Sequence, residues 1–268
     1  MKRRTAGALI GVLTVVCLGL VLSVIYPFTT SDPHAATPPS ERLAVGDADA
    51  FAATGRIVVD GRVRLAFDGV VTTDGAWYQK VVEPNVTSEK YRPSPNGSVY
   101  QRLMITGRDR TKRIRKQIAE DKDKRLHREG RNGDRSTFVL EQKSTSVTEP
   151  VSGTVSVFVN SLFIVGYEKE GSDSSAVTVY EPQSGWYDGK RTYRITGASG
   201  DVSADAETYA VHSANVSWEE TEPAGTFAEY ELARLTTDDP TSHSITIEFD
   251  PGDTKLDRPP WVSDIDSE

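Results

Sequence analysis

The chain has 268 residues, of which 37% are hydrophobic and 26% charged, with a net charge of −8 at pH 7. Its single cysteine excludes any intrachain disulfide, so the folded part must hold together by core burial, which a length well above 100 residues permits. The charge is uneven: residues 102–135 hold 13 basic and 6 acidic side chains, and residues 136–268 hold 8 basic and 24 acidic ones. Arginine outnumbers lysine 20 to 11, and Ser, Thr, Asp and Glu abound, a surface that stays solvated in high salt and is expected of a halophilic protein, the alternative being an ordinary acidic surface that serves solubility.

Lys2, Arg3 and Arg4 precede an uncharged run from Thr5 to Phe28. About 20 apolar residues cross a ~30 Å hydrocarbon layer, whereas the apolar part of a cleavable signal is ~7–15 residues long. Residues 1–28 are therefore expected to be a signal-anchor transmembrane helix, amino terminus inside and the rest extracytoplasmic at the cell membrane. Cleavage near Ala35 or Ala36 competes with this, but His34-Ala35-Ala36 lacks the pair of small residues a peptidase wants. Cys17 follows Thr14-Val15-Val16 rather than a small residue, which argues against lipidation there. Gly7 and Gly11 form a GxxxG that would let two spans approach as a homodimer.

Residues 29–50 begin with three prolines among small polar residues and are expected to be an extracytoplasmic linker. Residues 51–250 read as an antiparallel β ectodomain. Ile57-Val58-Val59, Asp60-Gly61 and the run from Arg62 make the strongest hairpin signal, because Asp-Gly accepts the positive φ angles of a type I′ turn. Strands are expected at Ala76 to Val82, Thr87 to Tyr91 and Ser98 to Ile105, each after a turn signal.

Arg108 to Glu129 is highly charged, and Ile114, Ile118 and Leu126 recur at multiples of four, which predicts a helix near 108–129. Interleaved acids and the lack of stacking aromatics make it an ion-paired, solvated face rather than a nucleic-acid site. Thr137 to Lys143 resumes strand character. Val155, Phe158, Val159, Leu162, Phe163 and Gly166 have helical spacing, with Val157, Ile164 and Val165 on the other side, so a buried core helix is predicted near 154–167.

Short strands are then predicted at Ala176 to Tyr180, Thr192 to Thr196, Asp201 to Ala204, Ala210 to Glu219, Phe227 to Leu235 and Ser244 to Phe249; Phe227 to Leu235 also suits a helix. Residues 251–268 form an acidic tail expected to pack through Trp261. The fold class is thus mainly β (α+β), a single curved antiparallel sheet, half-barrel-like, packed on one buried helix behind an N-terminal transmembrane helix.

Chemistry is sparse. Four scattered histidines have no zinc-ligand spacing, and Gly171-Ser172-Asp173-Ser174 lacks the second glycine of a nucleophile elbow. Carboxylates at Glu219, Glu220, Glu222, Asp238 and Asp239 read as surface charge in so acidic a half. No metal, cofactor, catalytic residue or enzymatic activity is expected. Asn85, Asn96 and Asn215 are sequons and glycosylation candidates. Large apolar side chains on the expected strands and helix, namely Trp77, Tyr91, Tyr100, Phe158, Leu162, Trp218 and Tyr230, are candidates to line a concave face that binds lipid or another apolar ligand.

The order hairpin, meander, polar helix, buried helix and further hairpins, with Trp77-Tyr78-Gln79-Lys80 leading to Tyr91 and the run Gly200 to Thr208 leading to Val216, resembles the lipoprotein-carrier class of half-barrels, of LolA and LppX type, and similar lipoprotein-like proteins of halophilic archaea. The resemblance implies an apolar cavity for lipid or acyl chains. The chain departs from it in lacking a lipidated cysteine and in keeping a span, which counts against shuttling. Two functions are therefore expected in turn: a membrane-anchored extracytoplasmic binding module for lipid or another apolar ligand, or a structural or protein-interaction component of the envelope with a filled core.

Overall fold

The computed structural model describes residues 43–143, 149–170, 176–187, 193–222, 229, 232, 235–236, 240–252 and 254–265. The expected span at Thr5 to Phe28, with Gly7 and Gly11, lies outside them, and no helix among the described residues is long and apolar enough to cross a membrane.

The fold is mainly β. In chain order the strands are β1 (Phe51–Val59), β2 (Arg62–Val71), β3 (Trp77–Glu83), β4 (Val86–Arg92), β5 (Val99–Thr106), β6 (Lys124–Asn132), β7 (Arg135–Gln142), β8 (Gly166–Glu170), β9 (Val177–Gln183), β10 (Gly185–Tyr187), β11 (Tyr193–Asp205), β12 (Val211–Glu220) and β13 (Thr241–Pro251). The helices are α1 (Arg108–Glu120), α2 (Val151–Ser161), which runs into a 3-10 turn at Leu162–Ile164, and the short α3 (Pro260–Ser263). Twelve strands form one open antiparallel sheet in the order β6-β7-β5-β4-β3-β2-β1-β13-β12-β11-β9-β8, and β10 pairs with β11 beside that path. Its two edges, β6 (KRLHREGRN) and β8 (GYEKE), carry charge, which opposes edge-to-edge association with another sheet.

The Asp60-Gly61 turn joins β1 to β2 with φ 50° and 69°, the positive pair that a type I′ turn requires. Asp60 also exchanges hydrogen bonds with Ser242: its amide donates to the Ser242 carbonyl at 2.9 Å and its carboxylate accepts from the Ser242 amide at 3.0 Å. This tip therefore ties the first hairpin to β13, which pairs with β1 along its length.

Side chains of a strand alternate between the two faces of its sheet, so the register assigns each residue to one of them. One face carries Ala53, Phe67, Trp77, Val216, Trp218, Ile245, Ile247 and Phe249, and the apolar side of α2 (Val151, Val155, Phe158, Val159) with Leu162 packs onto it as the main core. Glu149 caps α2: its carboxylate accepts from the amides of Val151 and Ser152 and from the Ser152 hydroxyl. On the same face α1 sets Ile118 against Ile105, Phe138 and Leu140, with Thr111 bonded to Ser136. On the opposite face, Trp261 and Val262 of α3 pack over Tyr91 and Val139, so the acidic tail is docked through Trp261.

Several elements differ from the sequence reading. The helix expected over 108–129 ends at Glu120; Asp121 turns extended, its carboxylate takes the Asp123 amide and the Lys124 ammonium, and Leu126 lies on β6. The fourfold spacing of Leu126 with the two isoleucines is coincidence across a turn. The helix expected near 154–167 starts at Val151, and Gly166 and Tyr167 belong to β8. Val157 is 48% exposed, so α2 is amphipathic rather than buried all round. Of the strands expected at Thr192 to Thr196 and Asp201 to Ala204, Thr192 lies outside the described residues, and the rest are parts of the single strand β11, interrupted by a shift in register between Thr196 and Ser199. Within Phe227 to Leu235, the described residues Glu229, Leu232 and Leu235 are helical rather than extended. The linker expected at 29–50 is packed at its described end: Leu43 and Ala50 are buried, and the Ala44 amide donates to the Tyr209 carbonyl at 3.0 Å.

Candidate functional site

The two long helices cover different parts of one face. The α2 helix packs on β13, β1, β2 and one part of β3, and α1 packs on β5 and β6, so β4 and the part of β3 that α2 does not cover lie between them. A cleft of about 300 Å³ lies there. Its floor is three directly opposed cross-strand pairs, Gln79 with Lys90, Val81 with Ser88 and Glu83 with Val86, and Pro150 and Thr154 of the α2 start form one wall.

Position along the strands grades the cleft from polar to apolar and back. At its inner end Gln79 is buried and its amide nitrogen donates to the Thr154 hydroxyl, which in turn donates to the Pro150 carbonyl at 3.1 Å. This fixes the wall to the floor. Ser88 is held from the next strand by the Gln101 side-chain amide at 3.1 Å, and Val81 and Val86 supply the apolar patch. Glu83 is exposed at the rim. Lys90 is half-buried, and among the described residues no carboxylate forms an ion pair with it. Burial first, and then the charge of Lys124, hold its ammonium below the usual lysine range.

The candidate ligand residues read from the sequence do not converge on this cleft. Trp77, Phe158, Leu162 and Trp218 lie on the helix-bearing face but fill its core, with exposures of 0–3%. Arg92 covers the Trp77 ring at 5.5 Å, and His243 stacks on Trp218 at 5.1 Å and 4°. Tyr91 and Tyr100 pair across β4 and β5 on the opposite face, where they pack with Trp261. The Tyr230 placement lies outside the described residues, as does the weak serine motif at Gly171 to Ser174. The correction has a simple cause: large aromatics in a sheet this size are recruited to close the core before they can line an opening.

Sequence reasoning missed Gln79, Ser88 and Lys90. A signal was present: their positions share the inward parity of Trp77, Val81 and Val86, so polar side chains stand where the neighbouring strands place apolar ones. The three sequon asparagines, Asn85, Asn96 and Asn215, are all exposed, and Asn85 sits in the turn at the cleft's rim, between Glu83 and Val86. Among the described residues no group of three or more His, Cys, Asp or Glu could hold a metal ion.

Two further polar clusters are structural in geometry. Arg102 grips the buried carboxylate of Glu89 through two bonds of 2.9 and 2.7 Å, under the Trp261 ring at 5.4 Å. Burial, with Glu89 beside it, pushes the neighbouring Tyr78 hydroxyl up to about 12. At the far end of the helix-bearing face, His243 lies 3.6 Å from Glu220, whose carboxyl is raised by burial against the pull of His243.

Comparison of the chain with protein-family models, with curated proteins and with solved structures gives no match.

Proposed function

We propose that the protein is a membrane-anchored extracytoplasmic binding module without catalysis, whose sheet curves as a half-barrel around α2 and holds an apolar ligand in the cleft over β3 and β4. One observation carries this reading: a cleft of about 300 Å³ lies on the helix-bearing face, beside the core that α2 packs against the sheet. That volume is at the lower end of small-molecule sites, so the ligand is small or inserts only one short chain. The lipoprotein-carrier resemblance supports the general class, and the uncharged run from Thr5 to Phe28 supports the tether.

A second reading has its own support. Trp77, Phe158 and Leu162 fill the space a large lipid would need, which favours a structural or protein-interaction component of the envelope. A photoactivatable alkyl diazirine added to the full chain in a bilayer separates the two. Labelled peptides spanning 79–90 and 150–154 support the binding module; label confined to the first 28 residues contradicts it and leaves the structural reading.

A further inference from the structure

We propose that the ligand of this cleft is an amphiphile with one anionic head group, a carboxylate or a phosphate, which pairs with Lys90 while its apolar body lies over Val81 and Val86. The inference rests on the binding reading above and adds the chemistry of the head.

Its basis is the placement of charge. Lys90 projects from the inward parity of β4 at the inner end of the cleft, directly opposite Gln79, and is half-buried. Withdrawing an ammonium from water costs free energy that a paired anion offsets. The carboxylates of this region are engaged or distant. Glu89 points to the other face and is held by Arg102. Asp121 takes Lys124 at 2.8 Å, and Glu149 caps α2. Glu83 lies at the outer end of the floor, four register positions beyond the Gln79 and Lys90 pair.

Lys124 is a second cation felt by Lys90, and although Asp121 pairs with Lys124, no carboxylate among the described residues pairs with Lys90 itself. The side-chain amides of Gln79 and Gln101 flank Lys90 on the neighbouring strands; their nitrogens donate to Thr154 and Ser88, and among the described residues no hydrogen bond joins either amide oxygen to the ammonium. Outward from it the floor turns to Val81 and Val86. A charged head inside and a short apolar body outside match that gradient.

The test uses the full chain in nanodiscs of zwitterionic phosphatidylcholine, with empty nanodiscs as the blank for partitioning, titrated with octanoate, octyl phosphate, octanol and inorganic phosphate. The expected result is that octanoate and octyl phosphate bind about tenfold or more tightly than octanol. Lys90→Met is expected to abolish that preference and Lys90→Arg to keep it, with both variants compared by circular dichroism and melting so that misfolding is not read as lost recognition. Octanol binding as well as octanoate would overturn the anionic head and leave the apolar-ligand reading intact. Inorganic phosphate binding as tightly as octyl phosphate would overturn the amphiphile, and an undiminished preference in a folded Lys90→Met would overturn the role of Lys90. Binding of none of the four would overturn the binding reading itself.

Discussion

Gly55 of β1 lies directly beneath the ring of Phe158: a β-carbon placed on it would come within 2.8 Å of that ring. The absent side chain is what lets α2 seat on the middle of the sheet, and Phe158 is wholly buried there. Gly55→Ala should overpack this contact and cost about 1–3 kcal/mol. Phe158→Ala should cost about 3–5 kcal/mol through the cavity it opens. Combined, the two changes should cost clearly less than their sum, because the cavity receives the new methyl. Urea denaturation of the two single variants and the double variant measures the coupling; strict additivity would show that the contact does not seat the helix.

Arg102 holds two structures at once, the buried Glu89 carboxylate and the Trp261 ring of the docked tail. Arg102→Ala should lower stability by about 3 kcal/mol, the lower end for a broken buried pair, since the arginine side chain keeps 31% of its exposure. It should also speed proteolysis between Thr254 and Ile265. A double change of Glu89 and Arg102 to leucine should recover most of the loss, because no buried charge is then left unpaired. Unchanged tail proteolysis in Arg102→Ala would show that Trp261 docks without it.

Two carboxyl groups should bend the pH profile in opposite senses. The amide of Thr208, then its hydroxyl and the Glu207 amide hold Asp205 below the usual aspartate range. A depressed folded value gives stability that is present above the unfolded value near ~3.9 and is lost as pH falls through the folded one. Burial raises Glu220, so its contribution runs the other way: present below the unfolded value near ~4.3 and lost as pH rises through the folded one. Urea midpoints measured from pH 2.5 to 7 should therefore flatten below about pH 4 in Asp205→Asn and above about pH 4.3 in Glu220→Gln. A Glu220→Gln profile parallel to wild type above pH 4.3 would show that burial of Glu220 carries no weight.

The strands were legible because their signals are local. Asp60-Gly61 alone specifies the first turn, and the shared parity of Ala214, Val216 and Trp218 specifies the buried face of β12. The helices were legible in kind but not in extent. Asp121 ends α1 by turning its carboxylate to its own chain, a choice that the apolar spacing of Ile114, Ile118 and Leu126 does not encode. The cleft left only a faint trace, the polar Gln79, Ser88 and Lys90 at inward positions, because Lys90 and Gln79 become neighbours only through the β3–β4 register, and the wall at Pro150 and Thr154 arrives from a helix far along the chain. Aromatic content marked the core instead.

Occupancy of the cleft is the claim on which the functional account turns. Methyl-resolved NMR spectra of the full chain in nanodiscs, recorded during an octanoate titration, address it directly. The account predicts saturable shifts of the Val81 and Val86 methyls, with Val155 and Val159 of the packed core unmoved. Shifts spread over the core valines, or none at Val81 and Val86 at saturating octanoate, would contradict it.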